Sequence, residues 1–397
     1  MTTPVEPISI ALCGAGGYAA NYVEPLLEEL AEGRARLAGV IEPHPECCPH
    51  WERLRGLGIP LHAGLEEFFA VSRCDLLIVA SPMHAHAEQT CLALANGAHV
   101  LCEKPLCNTL EQIELMRAAE QAAGKTVTLG YQWSFTPAVQ ALKADYLAGR
   151  LGRALRFRTL VCWPRGDRYY RRNAWAGRQW LDSGELLLDS PVSNAAAHFL
   201  HHMLYILGPS AHESAEPAGV RAELWRAHRI ENYDTAVLRV ATVNGVDLHF
   251  VASHATQSSD GPAFTFEFEA ATVEFRDPAQ GIVARFHEGT TVAYGAPDSE
   301  PEPLTKLRAA MHSARTGTRP LCGITAAAPH IRCVHLAQAA PEGIRDFPET
   351  RVRVDTSGAQ PRRYVHGLGE ILRRCHREGG ALAPELEALW SRETRAA

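Results

Sequence analysis

The chain has 397 residues, 46% hydrophobic and 21% charged, a globular composition with length enough for two domains with separate cores. A net charge of −6 and a pI near 6.3 offer no overall attraction for nucleic acid or an anionic membrane, and no apolar run approaches the roughly 18 residues that span a bilayer. Residues 1–7 lack the pattern of a signal peptide, so a cytoplasmic location is expected, with the eleven scattered cysteines reduced; no His or Cys pair has metal-site spacing, and no metal is expected.

The β-prone run Ile8–Cys13 leads at once into Gly14-Ala15-Gly16-Gly17-Tyr18-Ala19 and a helical pattern from Ala20 to about Glu32. Strand, glycine turn and helix in that order predict a dinucleotide site. Gly14 permits the tight turn, Gly16 lets the backbone approach a pyrophosphate, and Gly17 and Tyr18 complete the loop. A second strand, Arg36–Ile41, ends in Glu42, whose carboxylate can accept from ribose hydroxyls and repels an added phosphate. NAD is therefore favoured over NADP.

The continuous apolar run from Cys74 to Pro82 predicts a parallel strand covered on both faces. A helix from His86 to Asn96 stops at Gly97, and the strand Ala98–Leu101 delivers Glu103-Lys104-Pro105. Two charges directly after a buried strand are unusual, and functional residues of open α/β sheets gather at such carboxyl ends. The bland alternative is a solvated turn. A helix from Leu110 to Ala123 and the strand Thr126–Leu129 then lead to Gln132, beside the same strand ends. Residues 1–133 thus predict an NAD(P)-binding Rossmann domain with a doubly wound parallel sheet.

Residues 134–397 change character. After a helix from Pro137 to Ala148, alternating strands are expected at Ala154–Cys162, Thr235–Ala241, Val246–Ser253, Phe264–Phe268, Thr272–Phe275, Ile282–His287 and Thr291–Tyr294, with a hairpin at Asn244-Gly245. This predicts an α+β domain around a mostly antiparallel open sheet. The tail from Gly343, with a terminal helix from about Pro384, receives no function. Segment 163–180 holds three of the seven tryptophans, Tyr169, Tyr170 and five arginines. Trp163, Arg165, Tyr170 and Trp175 are expected to line a substrate-enclosing loop, since aromatic faces stack on sugars and guanidinium groups bind hydroxyls or anions. A basic loop folded over the protein's own carboxylates, or a subunit contact, is the alternative. On a helix through Asn194–His201, positions 194, 198 and 201 share a face.

Gly14-x-Gly16-Gly17, Glu42, Ser81-Pro82 followed by His86, Glu103-Lys104-Pro105 and Gly149-Arg150-Leu151-Gly152, in that order, resemble the glucose-fructose oxidoreductase, inositol dehydrogenase and rhizopine-catabolism (Gfo/Idh/MocA) family. The resemblance implies hydride transfer between nicotinamide and a secondary alcohol of a sugar or cyclic polyol. It places Ser81, Pro82, His86, Glu103, Lys104 and Gln132 at the cofactor, with Lys104 steadying the alkoxide. His198 matches the family's catalytic histidine, Asn194 stands where Asp is frequent, and His201 stands at a later position where Asp is common and is expected to touch substrate. The open sheet face is expected to pack on a partner, giving a homodimer or homotetramer. A redox-neutral lyase, epimerase or glycosidase, or a non-catalytic dinucleotide-binding sensor, are the alternatives.

Overall fold

The computed structural model describes residues 6–297, 303–358 and 360–396. The chain forms two compact units, one from residues 1–136 and 298–328, the other from 137–297 and 329–397.

The first unit is built on a six-stranded parallel sheet: β1 (Ile8–Cys13), β2 (Ala35–Ile41), β3 (Leu61–His62), β4 (Leu76–Val79), β5 (His99–Cys102) and β6 (Val127–Leu129), in the order β3-β2-β1-β4-β5-β6. The order reverses between β1 and β4, the crevice where Rossmann sheets bind their ligand. β4 and β5 are buried along their whole length, as their unbroken apolar runs require. The helix Leu110–Ala123 starts where Thr109 and Gln112 form a reciprocal capping box and stops at Gly124, whose φ of 60° ends the α conformation. The helix expected from Ala20 opens instead as a 3-10 turn, Gly17–Tyr22, before the α-helix Val23–Ala31. Segment 298–328 returns to this unit, which no local pattern foretells. Its helix Leu304–Thr316 buries Leu307, Ala310 and Met311 in the same core as Ile10, Leu12, Tyr22 and Leu101.

The second unit carries a nine-stranded sheet: β7 (Ala154–Cys162), β8 (Pro217–Arg226), β9 (Thr235–Thr242), β10 (Asp247–Ser253), β11 (Asp260–Phe268), β12 (Ala271–Phe275), β13 (Ile282–Phe286), β14 (Thr291–Gly295) and β15 (Ile344–Asp346). Their order is β14-β13-β12-β11-β7-β10-β9-β8-β15, antiparallel except at β7–β10 and β8–β15. The β9–β10 hairpin turns at Asn244-Gly245, where Gly245 has a φ of 81°.

The sheet face expected to await a partner is not bare. Leu160, Cys162, Trp225, Val237 and Val251 pack against Leu368, Ile371, Leu372, Cys375, Leu382 and Leu386 of the tail helices Leu368–Glu378 and Leu382–Ala396. Arg158 and Arg239 donate to the backbone carbonyls of Arg377 and Gly379, and His249 Nε2 lies 3.1 Å from the Gly380 carbonyl. The Glu223 carboxylate accepts from the Leu382 and Ala383 N–H groups at 2.8 and 2.6 Å, satisfying the first turn of the last helix. Toward β11 and β12 the strands carry ion pairs instead, with Arg156 on Glu267 at 3.1 Å and Arg276 on Glu274 at 2.9 Å.

Candidate functional site

The loops after β1, β2 and β4 converge where the strand order reverses. Gly14 has a φ of 91°, and a Cβ there would lie 2.9 Å from the Ala80 carbonyl, so only glycine lets these loops approach. Gly17 has a φ of 56° and open space where a side chain would stand. The half-buried Glu42 carboxylate accepts from Ala15 N–H at 2.8 Å and His44 N–H at 3.0 Å, which fixes it against the glycine turn. A tight glycine turn with a carboxylate at its side fits the pyrophosphate and ribose of a dinucleotide.

At the end of β5 the chain buries Glu103, 5% exposed, and leaves Lys104 half-buried after it. Glu103 Oε1 accepts from Tyr22 Oη at 2.6 Å and Lys306 Nζ at 2.5 Å, and Oε2 accepts from Lys104 N–H at 3.2 Å. Burial pushes this carboxyl up, but Lys306, Tyr22 and Lys104 together hold it below the usual range. Burial, reinforced by the Glu103 charge, raises the Tyr22 phenol well above its ordinary value. Lys306, wholly buried, also donates to Tyr18 Oη at 2.8 Å. The Glu103 carboxylate, expected at the cofactor, is engaged within the unit by Tyr22, Lys306 and the Lys104 N–H. The Lys104–Pro105 bond is cis. Lys306 and Tyr22 carry no signal in the sequence: Tyr22 resembles any core aromatic, and Lys306 lies 203 positions from its partner.

His86, also expected beside the cofactor, is 1% exposed and is a pin between loops. Its Nδ1 lies 2.8 Å from the Pro105 carbonyl and its Nε2 3.0 Å from the Ser81 carbonyl, tying the loop after β4 to the loop after β5. Burial lowers its pKa. Ser81 Oγ donates to Gln89 at 2.5 Å, Pro82 precedes the short 3-10 turn Met83–Ala85, and half-buried Gln132 opens the turn Gln132–Phe135 after β6.

In the second unit Asn194 stands on a π-helical turn, Pro191–Ala195, closed by Ala196 N–H donating to the Pro191 carbonyl at 2.7 Å. The α-helix Ala197–Ile206 begins only after Ala196, so 194, 198 and 201 do not share one α-helical face as expected. Asn194 Nδ2 donates to Asp189 Oδ1 at 2.8 Å, and Asp189 Oδ2 accepts from Gly177 N–H at 2.6 Å. Asp189 is 2% exposed and follows Leu188, a non-glycine residue with a φ of 57°. It was missed, although a carboxylate closing the apolar run 186–188 was a visible signal. His198 lies half-buried in the first helical turn. His201 overturns its expected substrate contact: it is 1% exposed, stacks on Tyr205 at 5.6 Å, and burial, with His330, His202 and Lys143 nearby, holds its imidazole well below the usual value.

The arginine-rich loop folds on itself. The Arg165 guanidinium lies 5.9 Å from the Trp163 ring and 4.8 Å from Tyr169, and Arg172 lies 3.8 Å from Tyr169 and 4.9 Å from Trp175. Trp163 meets Phe199 edge to face at 5.5 Å and donates to the Gly261 carbonyl at 3.2 Å. Tyr170 Oη lies 3.0 Å from His254 Nδ1, and burial raises its phenol well above normal. The Trp163, Tyr169 and Trp175 rings thus lie beside the loop's own arginines, where the alternative expected the protein's carboxylates.

Residues 8–131 match the family described as "Oxidoreductase family, NAD-binding Rossmann fold". A protein of Amycolatopsis mediterranei described as the oxidoreductase subunit of a UDP-kanosamine synthase is 26% identical over 314 residues, 76% of this chain and 80% of that protein. Inositol 2-dehydrogenase of Streptomyces avermitilis is 29% identical over 150 residues, 37% of this chain and 43% of the relative, so that match spans less than half of each. Among solved structures, the WlbA dehydrogenase of Bordetella pertussis, in complex with NADH and UDP-GlcNAcA, superposes with a TM-score of 0.70 at 20% identity, over 85% of this chain and 96% of the other. Over residues 8–131, less than half of the chain, it is similar to the Gfo/Idh/MocA oxidoreductase family.

Proposed function

We propose that the protein is an NAD-dependent oxidoreductase that transfers hydride between nicotinamide and a secondary alcohol of a sugar, cyclic polyol or sugar derivative. The observation that carries this is Lys104, held by a buried Glu103 at the end of β5 in a unit whose glycine turn and Glu42 fit a dinucleotide. Glu42 supports NAD over NADP. When bound, the nicotinamide accepts or returns the hydride. Gly14, Gly16, Gly17 and Glu42 would hold the dinucleotide, with Tyr18, Ser81, Pro82 and Gln132 on the loops around it. Lys104 would steady the developing alkoxide, His198 would take the hydroxyl proton, and Asn194 would orient the substrate.

The Amycolatopsis relative, matched over 76% of this chain, acts by its name in UDP-kanosamine synthesis, so UDP-sugars head the substrates to try, followed by inositols and free sugars. We also propose a cytoplasmic location, supported by eleven free cysteines, nine of them buried. Assembly into a homodimer or homotetramer through the sheet would have to use its charged part, since the tail fills the apolar part. The test is to denature the purified protein, identify any released nicotinamide, and follow nicotinamide absorbance across UDP-sugars, inositols and sugar acids. Net NADH formation with one of these, abolished by Lys104→Ala and by His198→Ala, is the expected result; full turnover in either variant would refute the roles.

A further inference from the structure

The glycine turn and the loop bearing Lys104 are joined by one buried cation. Lys306 Nζ bonds Glu103 Oε1 at 2.5 Å and Tyr18 Oη at 2.8 Å, and lies 4.9 Å from the Tyr18 ring and 5.4 Å from the Tyr22 ring. Tyr18 follows Gly17 directly and is 39% exposed; Glu103 precedes Lys104 and accepts its N–H. The lysine comes from the helix Leu304–Thr316, whose Leu307, Ala310 and Met311 are locked in the core, so its position is set by packing. Position 130 is fitted to the same carboxylate: a Cβ there would lie 2.8 Å from Glu103 Oε2.

We propose that Lys306 is the positioning residue of the cofactor site, holding the Tyr18 side of the glycine turn and the Lys104 loop in one arrangement by neutralising and bonding Glu103. The inference rests on the reading of this unit as a nicotinamide site. Charge decides it. A carboxylate in this environment is ionised because a cation touches it, and removing one partner of a buried pair leaves the other uncompensated. The titratable groups facing Glu103 are Lys306 from its helix, Tyr22 from the 3-10 turn, His86 from the helix His86–Ala95, Tyr131 after β6, and its neighbours Cys102 and Lys104, while Tyr18 accepts from Lys306. Among these Lys306 is the strongest influence that lowers the carboxyl.

In the wild type the depressed carboxyl adds stability that is present above the ordinary carboxylate range and is lost as pH falls through the depressed value. Without Lys306, burial dominates and raises it, and the sign reverses: the site is sound when Glu103 is protonated and fails as pH rises.

The experiment titrates the full chain with NADH by fluorescence at about pH 6 and about pH 9, in the wild type, Lys306→Met and Lys306→Met/Glu103→Gln, with melting temperatures of the free proteins alongside. The wild type is expected to bind alike at both, Lys306→Met to lose roughly tenfold in affinity between them, and the double variant to lose that dependence. A stiffening role without the charge linkage would lower melting temperature and leave the pH profile flat. Wild-type affinity in Lys306→Met at both pH values would overturn the proposal. Should Lys306→Met not fold, Lys306→Gln is read in its place. If the wild type itself binds no NADH, the nicotinamide reading fails. The melting temperatures then decide the inference: a steeper fall with rising pH in Lys306→Met sustains the Glu103 linkage, and parallel profiles refute it.

Discussion

The resemblance leads one to expect Asp at position 194, and the neighbour of Asn194 favours an amide there. Asp189, buried and committed to Gly177 N–H, lies 2.8 Å from the Asn194 amide, which must turn its NH2 toward it because a carboxylate only accepts. An aspartate at 194 would set two carboxylates against each other, and one of them would have to hold a proton. Asn194→Asp is therefore expected to raise a carboxyl pKa in the folded state. The resulting stability is present at low pH and lost as pH rises through the raised value. The measurement is the urea midpoint between about pH 5 and about pH 8, expected to fall with pH in the variant relative to the wild type. Parallel profiles would show that Asp189 does not feel the residue at 194. Asn194 was thus legible only in part: the resemblance singled it out, but the helical face expected to join it to His198 is broken by the π-helical turn, and its orientation needed a partner five residues away.

At the scale of elements, the unbroken apolar runs of β4 and β5 and the alternation of β7, β9 and β10 announced themselves, because burial on two faces or one writes directly into the residue pattern. β8 did not. Its Pro-Ala-Gly opening and its Arg-Ala-Glu-Leu centre contain few β-branched or aromatic residues, and only its neighbours make it a strand. The π-helical turn before Ala197 was hidden likewise, since its residues read as a plain helix start. The tail helices were partly legible as helices but not as the cover of the sheet, which depends on long-range pairs such as Glu223 with Leu382 N–H. That cover carries an expectation. Leu372, 0% exposed, sits among Leu160, Val251 and Leu368 in the apolar cluster beneath the tail. Leu372→Asp would bury an unpaired charge there and should release the tail helix from the sheet. Increased binding of an apolar dye and a higher mass by light scattering are expected for the variant. If the variant matched the wild type in both, the tail would not be what keeps this face covered.

For the molecule as a whole, the return of the chain to its first unit matters more than the point where the glycine-turn half ends. A fragment of residues 1–136 contains every strand of the parallel sheet, yet lacks Leu307, Ala310 and Met311 from its core and leaves Glu103 without Lys306. Breaking a buried ion pair costs about 3–5 kcal/mol, against total stabilities of about 5–15 kcal/mol. The fragment alone is expected to show no cooperative urea transition and no NADH fluorescence response, and joining residues 303–328 to it through a flexible linker should restore both. A cooperative transition in 1–136 alone would mean the helix Leu304–Thr316 is dispensable for folding.

A second whole-molecule consequence comes from histidines. His86, His99, His201, His202, His249, His254 and His376 are buried, and in each case burial is the leading cause of a lowered pKa, to about 3 for His202 and about 4 for His249 and His376. A base whose folded pKa is depressed contributes stability that is present above its unfolded value and lost as pH falls toward the folded one, because the unfolded chain binds the proton first. The window opens near pH 6.5 and, for His249 and His376, extends down to about 4. A tenfold difference in proton affinity between the folded and unfolded chain is worth about 1.4 kcal/mol at most, and five of the seven histidines lie in the second unit. The urea midpoint should therefore drop between about pH 7 and about pH 5. His202 lies against Phe264 and Phe266, at 5.3 and 5.5 Å, so His202→Phe replaces the ring that titrates with one that does not in an aromatic setting. The variant's profile should be shallower than the wild type's; an unchanged slope would remove His202 from the account and leave the acid sensitivity to the remaining six.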